Sequence, residues 1–162
     1  MRVLIPILLV LAAGANAAEL SVNLDQSTLS GFPGQTLLFT GTLTNNTAGT
    51  LFINADSFTF AINGALDDSP FLNNAPFSIG AGGTSFDFEM FDVNIPPGQA
   101  SGPYGGVFTV LGGTGGEAMD NLGSTSFTAN VETPEPATYL LFALGLALLL
   151  GLAVVRQVGE RS

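Results

Sequence analysis

Hydrophobic and polar residues alternate with the two-residue period of a β-strand through most of residues 18–132. Leu20, Val22 and Leu24 alternate with polar neighbours, and clusters rich in Pro, Gly and Asn interrupt the pattern at intervals. The segments that carry the alternation are 20–24, 37–44, 50–62, 86–95, 104–111 and 124–132. About seven short strands separated by turn signals are typical of two packed sheets. The pattern therefore predicts an all-β domain with the fold of an antiparallel β-sandwich.

The buried face changes within the segment 86–95. Phe88 and Met90 share one face of the predicted strand, whereas Phe91 and Val93 share the other face. A single buried face is restored if one strand gains an extra residue, which is the definition of a β-bulge. We therefore predict a bulge near Met90.

Two short runs resemble parts of a known architecture. The run from Thr42 to Asn46 and the turn from Ile95 to Gly98 resemble bacterial immunoglobulin-like modules. This resemblance implies an immunoglobulin-like sandwich, although the chain has neither the Cys nor the Trp that pins the core of antibody domains. The glycine-rich stretch from Gly112 to Gly123 is predicted to be a loop between the last two strands.

The first 17 residues have the pattern of a signal peptide. A basic residue precedes an apolar run from Val3 to Ala13, and Ala15 and Ala17 supply the small residues that signal peptidase accepts. We therefore expect a signal peptide at residues 1–17, cleavage after Ala17 by signal peptidase, and export of the domain at residues 18–132.

A second apolar segment, Tyr139 to Val155, has no polar face. At about 1.5 Å per residue it gives roughly 25 Å of helix, which is the short end of a membrane span. Arg156 and Arg161 follow it, and the positive-inside rule places such charges in the cytoplasm. The pattern predicts a transmembrane helix at 139–155 with a stop-transfer tail at 156–162, and hence a precursor tethered to the inner membrane.

Pro134, Glu135 and Pro136 stand directly before this segment. Two prolines hold a chain extended and exposed, which is the form that a protease or transpeptidase binds. The order of this tripeptide, one hydrophobic helix and an arginine-bearing tail resembles the PEP-CTERM sorting signal of Gram-negative bacteria.

The resemblance implies a processing route for the chain. Pro134, Glu135 and Pro136 would be the recognition residues of an exosortase, which cuts near the motif and passes the protein to the outer surface or the exopolysaccharide matrix. The sorting segment then covers residues 133–162. The alternative is a permanently anchored single-pass membrane protein in which the tripeptide is only a spacer.

The amino-acid composition excludes several classes of function. The 162 residues include no Cys, His or Lys, and the net charge is −10. Thiolate and imidazole chemistry are therefore absent. Nucleic acid is not expected as a partner, because binding to phosphates depends on Lys and Arg. We expect a protein that is not an enzyme.

Carboxylates are the remaining reactive groups. Asp87 and Glu89 on a predicted strand are interpreted as its solvated side rather than as a glycosidase pair. Calcium sites usually form from loop carboxylates and carbonyls. The carboxylates in predicted loops are Asp67, Asp68, Glu117 and Asp120. No cofactor is expected apart from Ca²⁺ at these candidate ligands.

Two hypotheses for function remain. The leading one is a structural or interaction protein of the cell surface or of a biofilm's exopolysaccharide matrix, which associates with the polysaccharide or with other copies of itself. The alternative is a surface module that binds carbohydrate or protein, assisted by calcium.

Overall fold

The structure, a computed structural model, describes residues 18–133, 141–142 and 144–145. Residues 18–133 contain nine strands and one short helix. The elements are β1 (Leu20–Leu24), β2 (Thr28–Gly31), β3 (Thr36–Asn45), β4 (Leu51–Phe60), β5 (Leu66–Asp67), α1 (Ser69–Asn74), β6 (Ser78–Ile79), β7 (Phe88–Asn94), β8 (Gly102–Gly113) and β9 (Asp120–Val131).

The strands form two sheets that pack face to face. One sheet has four strands in the order β1-β3-β7-β5, and the other has five in the order β2-β9-β8-β4-β6. The predicted all-β sandwich is therefore confirmed. The two-residue strands β5 and β6 and the helix α1 between them were not predicted, because segments this short carry no periodic pattern.

One pair of strands departs from the antiparallel prediction. The chain leaves the four-stranded sheet after β1 and joins the other sheet as β2, which runs parallel to β9 from Thr28–Thr128 to Gly31–Val131. The other strand pairs within residues 18–133 are antiparallel. The parallel pair arises because β1 and β2 lie on different sheets, so no hairpin turn reverses the chain between them.

The core between the sheets is built on phenylalanine. The ring of Phe91 stacks on Phe39 and on Phe108, each with a centroid distance of 4.8 Å. Phe127 packs against Phe91 with a centroid distance of 4.6 Å. These four side chains come from β3, β7, β8 and β9 and are almost fully buried. They join the two sheets through apolar contact alone.

The predicted bulge at Met90 is confirmed. Phe39 of β3 lies opposite Phe91, while the next residue, Thr40, lies opposite Glu89, so Met90 is the extra residue of β7. Both Met90 and Phe91 are buried as a result. The bulge also places Glu89 and Asp92 on the same outer face of the four-stranded sheet.

A second bulge lies at Asn54 of β4. Ile53 pairs with Gly112 and Ala55 pairs with Leu111, which leaves Asn54 unpaired. Its side-chain amide donates to the carbonyls of Gly115 (3.0 Å) and Ala118 (2.8 Å) in the β8–β9 connection. The bulge explains why the inward face of β4 changes parity between Ile53 and Phe60.

The predicted glycine-rich loop is wrong at both of its ends. Gly112 and Gly113 belong to β8, and Gly123 belongs to β9, so the connection covers only residues 114–119. A Cβ on Gly112 would collide with the carbonyl oxygen of Phe52, and one on Gly123 with that of Leu20. These glycines are required by close approach of neighbouring backbone rather than by a loop.

The predicted turn after β3 is confirmed, and a buried side chain organises it. Asn45 is fully buried, and its Nδ2 lies 2.7 Å from the carbonyl oxygen of Gly49, 2.9 Å from that of Ile79 and 3.0 Å from that of Gly80. Its Oδ1 accepts from the backbone N–H of Thr47 at 2.8 Å. Asn45 thereby joins the end of β3 to the end of β6.

Candidate functional site

The last strand, β9, ends two residues before the predicted sorting segment at 133–162. β9 ends at Val131, which pairs with Gly31 on one side and with Gly102 on the other. The N–H of Glu132 donates to the carbonyl of Gly31 at 2.8 Å, and the side chains of Glu132 and Thr133 are exposed. The backbone is therefore hydrogen-bonded to the sheet as far as Glu132.

The residues predicted to direct sorting and processing lie outside the described part of the chain. They are Ala15, Ala17, Pro134, Glu135, Pro136, Arg156 and Arg161. Four residues of the predicted segment 139–155 are described, and they are helical and exposed: Leu141, Phe142, Leu144 and Gly145. Within the described residues, no helix is long and apolar enough to cross a membrane. The predictions for these segments stay predictions.

The four predicted calcium ligands fall in two different parts of the fold. Asp67 ends β5 and Asp68 directly precedes α1, whereas Glu117 lies in the β8–β9 connection and Asp120 begins β9. Residues 18–133 contain no group of three or more Asp, Glu, His or Cys side chains arranged to hold a metal ion. The structure does not assemble the four residues into one site, and calcium binding stays a prediction.

A first acidic group, named here the outer acidic group, consists of Asp67, Glu89 and Asp92. Asp67 pairs across the strands with Asp92, and the Met90 bulge brings Glu89 next to Asp92 on the same face. Burial, a side-chain hydrogen bond with Glu89 and repulsion by Glu89 and Asp67 together raise the pKa of Asp92 from 3.8 to about 7, and burial contributes most. Asp67 differs, because hydrogen bonds from Ser69 lower its pKa.

A second acidic group, named here the inner acidic pair, consists of Asp56 and Asp68. Asp56 lies on β4 just beyond the Asn54 bulge, and burial followed by repulsion from Asp68 raises its pKa from 3.8 to about 6. Asp56 was not singled out from the sequence. Its only signal was a carboxylate within the predicted strand at 50–62, and the bulge places it on the inward face, opposite the buried Val110.

A shallow cleft of about 180 Å³ lies beside β4. It is lined by Ile53, Asn54, Ala55, Phe71, Leu72, Ala75 and Phe77. Phe77 is 69% exposed and packs edge to face on Phe52 with a centroid distance of 5.4 Å. The cleft offers an aromatic surface with one amide side chain at its rim.

Comparison with known proteins identifies the C-terminal segment. The family model of the PEP-CTERM protein-sorting motif matches residues 132–157. That match begins one residue after the end of β9 and includes Pro134, Glu135 and Pro136. The motif implies an exported protein that an exosortase sorts, made first as a membrane-anchored precursor in Gram-negative bacteria. No curated protein matches this chain in sequence.

Solved structures are similar to the domain in fold. The secreted serine protease VesC from Vibrio cholerae is 15% identical, with a TM-score of 0.50 over 77% of this chain and 25% of that chain. The PapD-like domain 7 of human CEP192 is 12% identical, with a TM-score of 0.44 over 83% of this chain and 99% of that chain. The Caenorhabditis elegans MSP family member WR4 is 17% identical, with a TM-score of 0.40 over 68% of this chain and 97% of that chain.

These similarities concern the fold alone, because each identity is low. The described domain is a two-sheet sandwich of the immunoglobulin-like type. The chain thus carries a PEP-CTERM protein-sorting motif at residues 132–157, directly after a β-sandwich of the immunoglobulin-like type.

Proposed function

We propose that this chain is a non-enzymatic structural or interaction protein of the bacterial cell surface or exopolysaccharide matrix, freed from its membrane-tethered precursor by an exosortase. The observation that carries the proposal is the sorting motif at residues 132–157. The end of β9 at Val131 supports it, because the recognition residues then follow a folded domain with only Glu132 and Thr133 between them. A transpeptidase needs its substrate strand unpaired, and the two prolines of the motif favour an extended chain without strand pairing.

The composition of the domain supports a role without catalysis. Residues 18–133 carry carboxylates but no Cys, His or Lys, so acid–base chemistry would rest on Asp and Glu alone. Neither acidic group contributes a residue to the lining of the cleft beside β4. An acidic, base-free surface also keeps the exported domain soluble through self-repulsion.

The direct test is the mass of both ends of the protein recovered from its own host. We expect a chain that begins at Ala18 and ends between Pro134 and Thr138 in the surface and culture fractions. The double change Pro134→Ala and Pro136→Ala should leave an uncut chain in the inner membrane. Pro97→Ala is the matched control, since Pro97 lies in an exposed turn of the domain. A wild-type chain that stays in the inner membrane and ends at Ser162 would contradict the proposal.

The structural role is tested on the processed protein. Like charges on the surface oppose assembly, so self-association should strengthen when salt screens them. Light scattering is expected to show oligomers that grow with protein concentration and with ionic strength. A protein that stays monomeric in both series would argue against a self-assembling role.

A ligand-binding role is the second candidate, and the cleft beside β4 is the observation in its favour. The 69% exposed ring of Phe77 is positioned to stack on a neutral sugar or to contact an apolar side chain. Under this role, the processed protein binds exopolysaccharide extracted from its host saturably, and Phe77→Ala abolishes binding. Phe86→Ala is the control, because Phe86 is similarly exposed but does not line this cleft.

A further inference from the structure

Strand β4 is a sheet edge over most of its length. Strand β6 pairs with it only at its first two residues, and the N–H of Ile53 donates to the carbonyl of Phe77 at 3.0 Å. Beyond Ile53, no other strand of residues 18–133 pairs with this side of β4, whose far side is paired with β8 as far as Phe60. The stretch from Asp56 to Phe60, named here the open edge, therefore lacks a neighbouring strand.

The pairing with β8 determines which backbone groups face outward along the open edge. The N–H of Ala61 donates to the carbonyl of Gly105 at 3.1 Å, and hydrogen-bonded and non-hydrogen-bonded pairs alternate along an antiparallel ladder from there. The N–H and C=O groups of Asp56, Phe58 and Phe60 consequently point away from β8. No strand of residues 18–133 pairs with these outward groups.

The space beside the open edge is accessible. A cleft of about 300 Å³ is lined by the last three residues of β4 and by residues between 62 and 66. The ring of Phe58 is 41% exposed, although it projects from the inward face of the sheet, opposite the buried Phe108. Ser57 and Thr59, on the outer face, are exposed as well. An incoming strand can thus reach the open edge without displacing a segment of the domain.

The other edges of the two sheets are shorter or covered. Strands β5 and β6 have two residues each, and β2 has four. The five-residue strand β1 lies against β9, where the carbonyl oxygen of Leu20 closely approaches Gly123. Proteins protect longer edges with Lys, Pro or a bulge within the strand. The open edge contains none of these, since the Asn54 bulge precedes it and its one charged residue is Asp56.

The open edge is complementary to itself. In an antiparallel pairing of two copies centred on Phe58, the outward groups of Phe58 meet those of Phe58 in the second copy. Those of Asp56 meet those of Phe60, which allows about six hydrogen bonds in all. On the outer face Ser57 lies opposite Thr59 of the second copy, and no two carboxylates face each other. Aromatic pairs and pairs of hydroxyl residues are among the cross-strand pairs that stabilise sheets.

We propose that the open edge binds a second copy of this chain in this register, so that two five-stranded sheets join into one across a twofold axis. The inference rests on the structural role proposed above and names the surface through which copies associate. An isologous contact of this kind closes at two copies, so its product is a dimer. The join is short and both domains are acidic, so the dimer is weak at low salt and strengthens as salt screens the repulsion.

Disulfide formation tests the register, because the chain has no cysteine of its own. Ser57→Cys and Thr59→Cys are introduced separately, and the two variants recovered from the host are mixed under mild oxidation. In the proposed dimer these positions form a non-hydrogen-bonded pair, in which Cβ atoms lie about 5 Å apart and a disulfide closes with little backbone movement. The mixture is expected to form disulfide-linked dimers about tenfold faster than either variant alone.

A mixture of Ser57→Cys with Ser126→Cys is the matched control. Ser126 is exposed on the same face of the five-stranded sheet but lies on β9, away from the open edge. This mixture should cross-link no faster than its two components do alone. Equal rates in the two mixtures, or a Ser57–Thr59 mixture that reacts no faster than its single variants, would overturn the proposed join.

Sedimentation equilibrium over a series of protein concentrations measures the dimer itself. Phe58→Glu places two carboxylates opposite each other at the centre of the join and should weaken the dimer about tenfold or more. Phe86→Glu adds the same charge at a 62% exposed ring outside the open edge and should leave the dimer unchanged. If Phe58→Glu does not fold, the cysteine mixtures decide alone, because they change only exposed hydroxyl residues.

The outcomes separate this inference from the proposed function. A wild-type protein that associates, with Phe58→Glu associating equally well, uses another surface, which overturns the join and leaves the structural role intact. A wild-type protein that is monomeric at every concentration and salt overturns both the join and a self-assembling role. Association that Phe58→Glu weakens and Phe86→Glu does not, together with the faster Ser57–Thr59 cross-link, is the result that supports the open edge as the dimer surface.

Discussion

The β8–β9 hairpin and the segment from residue 61 to residue 77 belong to the same sandwich but are attached to it differently. The hairpin pairs from Gly102–Val131 to Gly112–Asp120 and buries Phe108 and Phe127 in the core. Segment 61–77 pairs with β7 only at Leu66 and Asp67, and its helix α1 packs on the core through the buried ring of Phe71. Long strand pairing stabilises the hairpin, whereas a six-residue helix depends on its packing. One fold therefore contains an extensively paired frame and a closing segment with little pairing of its own.

The largest expected effect removes the contact that joins the two sheets. Phe91 stacks on Phe39 and Phe108 between the sheets and is fully buried. Phe91→Ala should cost about 3–5 kcal/mol of unfolding free energy, because it leaves a cavity in the shared core. Urea denaturation followed by fluorescence or circular dichroism measures it. Phe86→Ala, at a 62% exposed ring, is the control and should cost far less. Comparable losses in the two variants would contradict the described core.

A change at Gly123 should affect the packing of the β8–β9 hairpin on β1. Its added Cβ would collide with the carbonyl oxygen of Leu20, so β9 and β1 must separate. We expect Gly123→Ala to cost roughly 1–3 kcal/mol, as overpacking does. Gly115→Ala is the matched control, because a Cβ there meets no atom within 4 Å. Thermal denaturation compares the two, and a neutral Gly123→Ala would show that the strands are not in such close contact.

Asn45 tests the end at which the chain rejoins the five-stranded sheet, at β6. Its Nδ2 lies within hydrogen-bond distance of the carbonyl oxygens of Gly49, Ile79 and Gly80. Asn45→Ala removes this donor and should cost about 1–2 kcal/mol. Asn46→Ala is the control, since the Asn46 side chain is exposed and bonds only to Ala18 and Ser21. Denaturant midpoints of the two variants give the difference, and an equal loss from both would be the opposing result.

The smallest effect is the pH dependence of global stability. The folded state holds a proton on Asp92, with a pKa of about 7, that the unfolded state releases near the ordinary value of 3.8. The folded state thus binds more protons between about pH 4 and 7, and stability falls as pH rises through that window. Asp92→Asn should flatten this slope and gain about 1 kcal/mol above pH 7, a figure reduced for solvent screening of a half-buried group. Urea midpoints measured from about pH 4 to pH 8 test the slope, and a gain from Asp92→Asn that is equal at both ends would contradict it.

Much of the frame followed from the local pattern. The alternation around Phe39 and Leu43 predicted the buried face of β3, and the change of parity at Met90 predicted the bulge that the register with β3 confirms. Both succeeded because side-chain period and burial on one face are properties of the strand itself. The prediction of a loop from Gly112 to Gly123 failed for the converse reason. The contacts that require glycine at these two positions come from Phe52 and Leu20 on other strands, so in the sequence the two glycines look like part of a loop.

The sequence by itself determined the all-β alternation, the sorting motif at residues 132–157 and the absence of any basic residue between Arg2 and Arg156. Only the tertiary structure decided that β2 runs parallel to β9, that Phe71 of α1 packs between Phe88 and Phe108, and that Asp67 lies opposite Asp92. The physical reason is the range of the interactions. Periodicity and processing motifs are read within a few consecutive residues, whereas pKa values and packing depend on residues far apart in the chain that folding brings together.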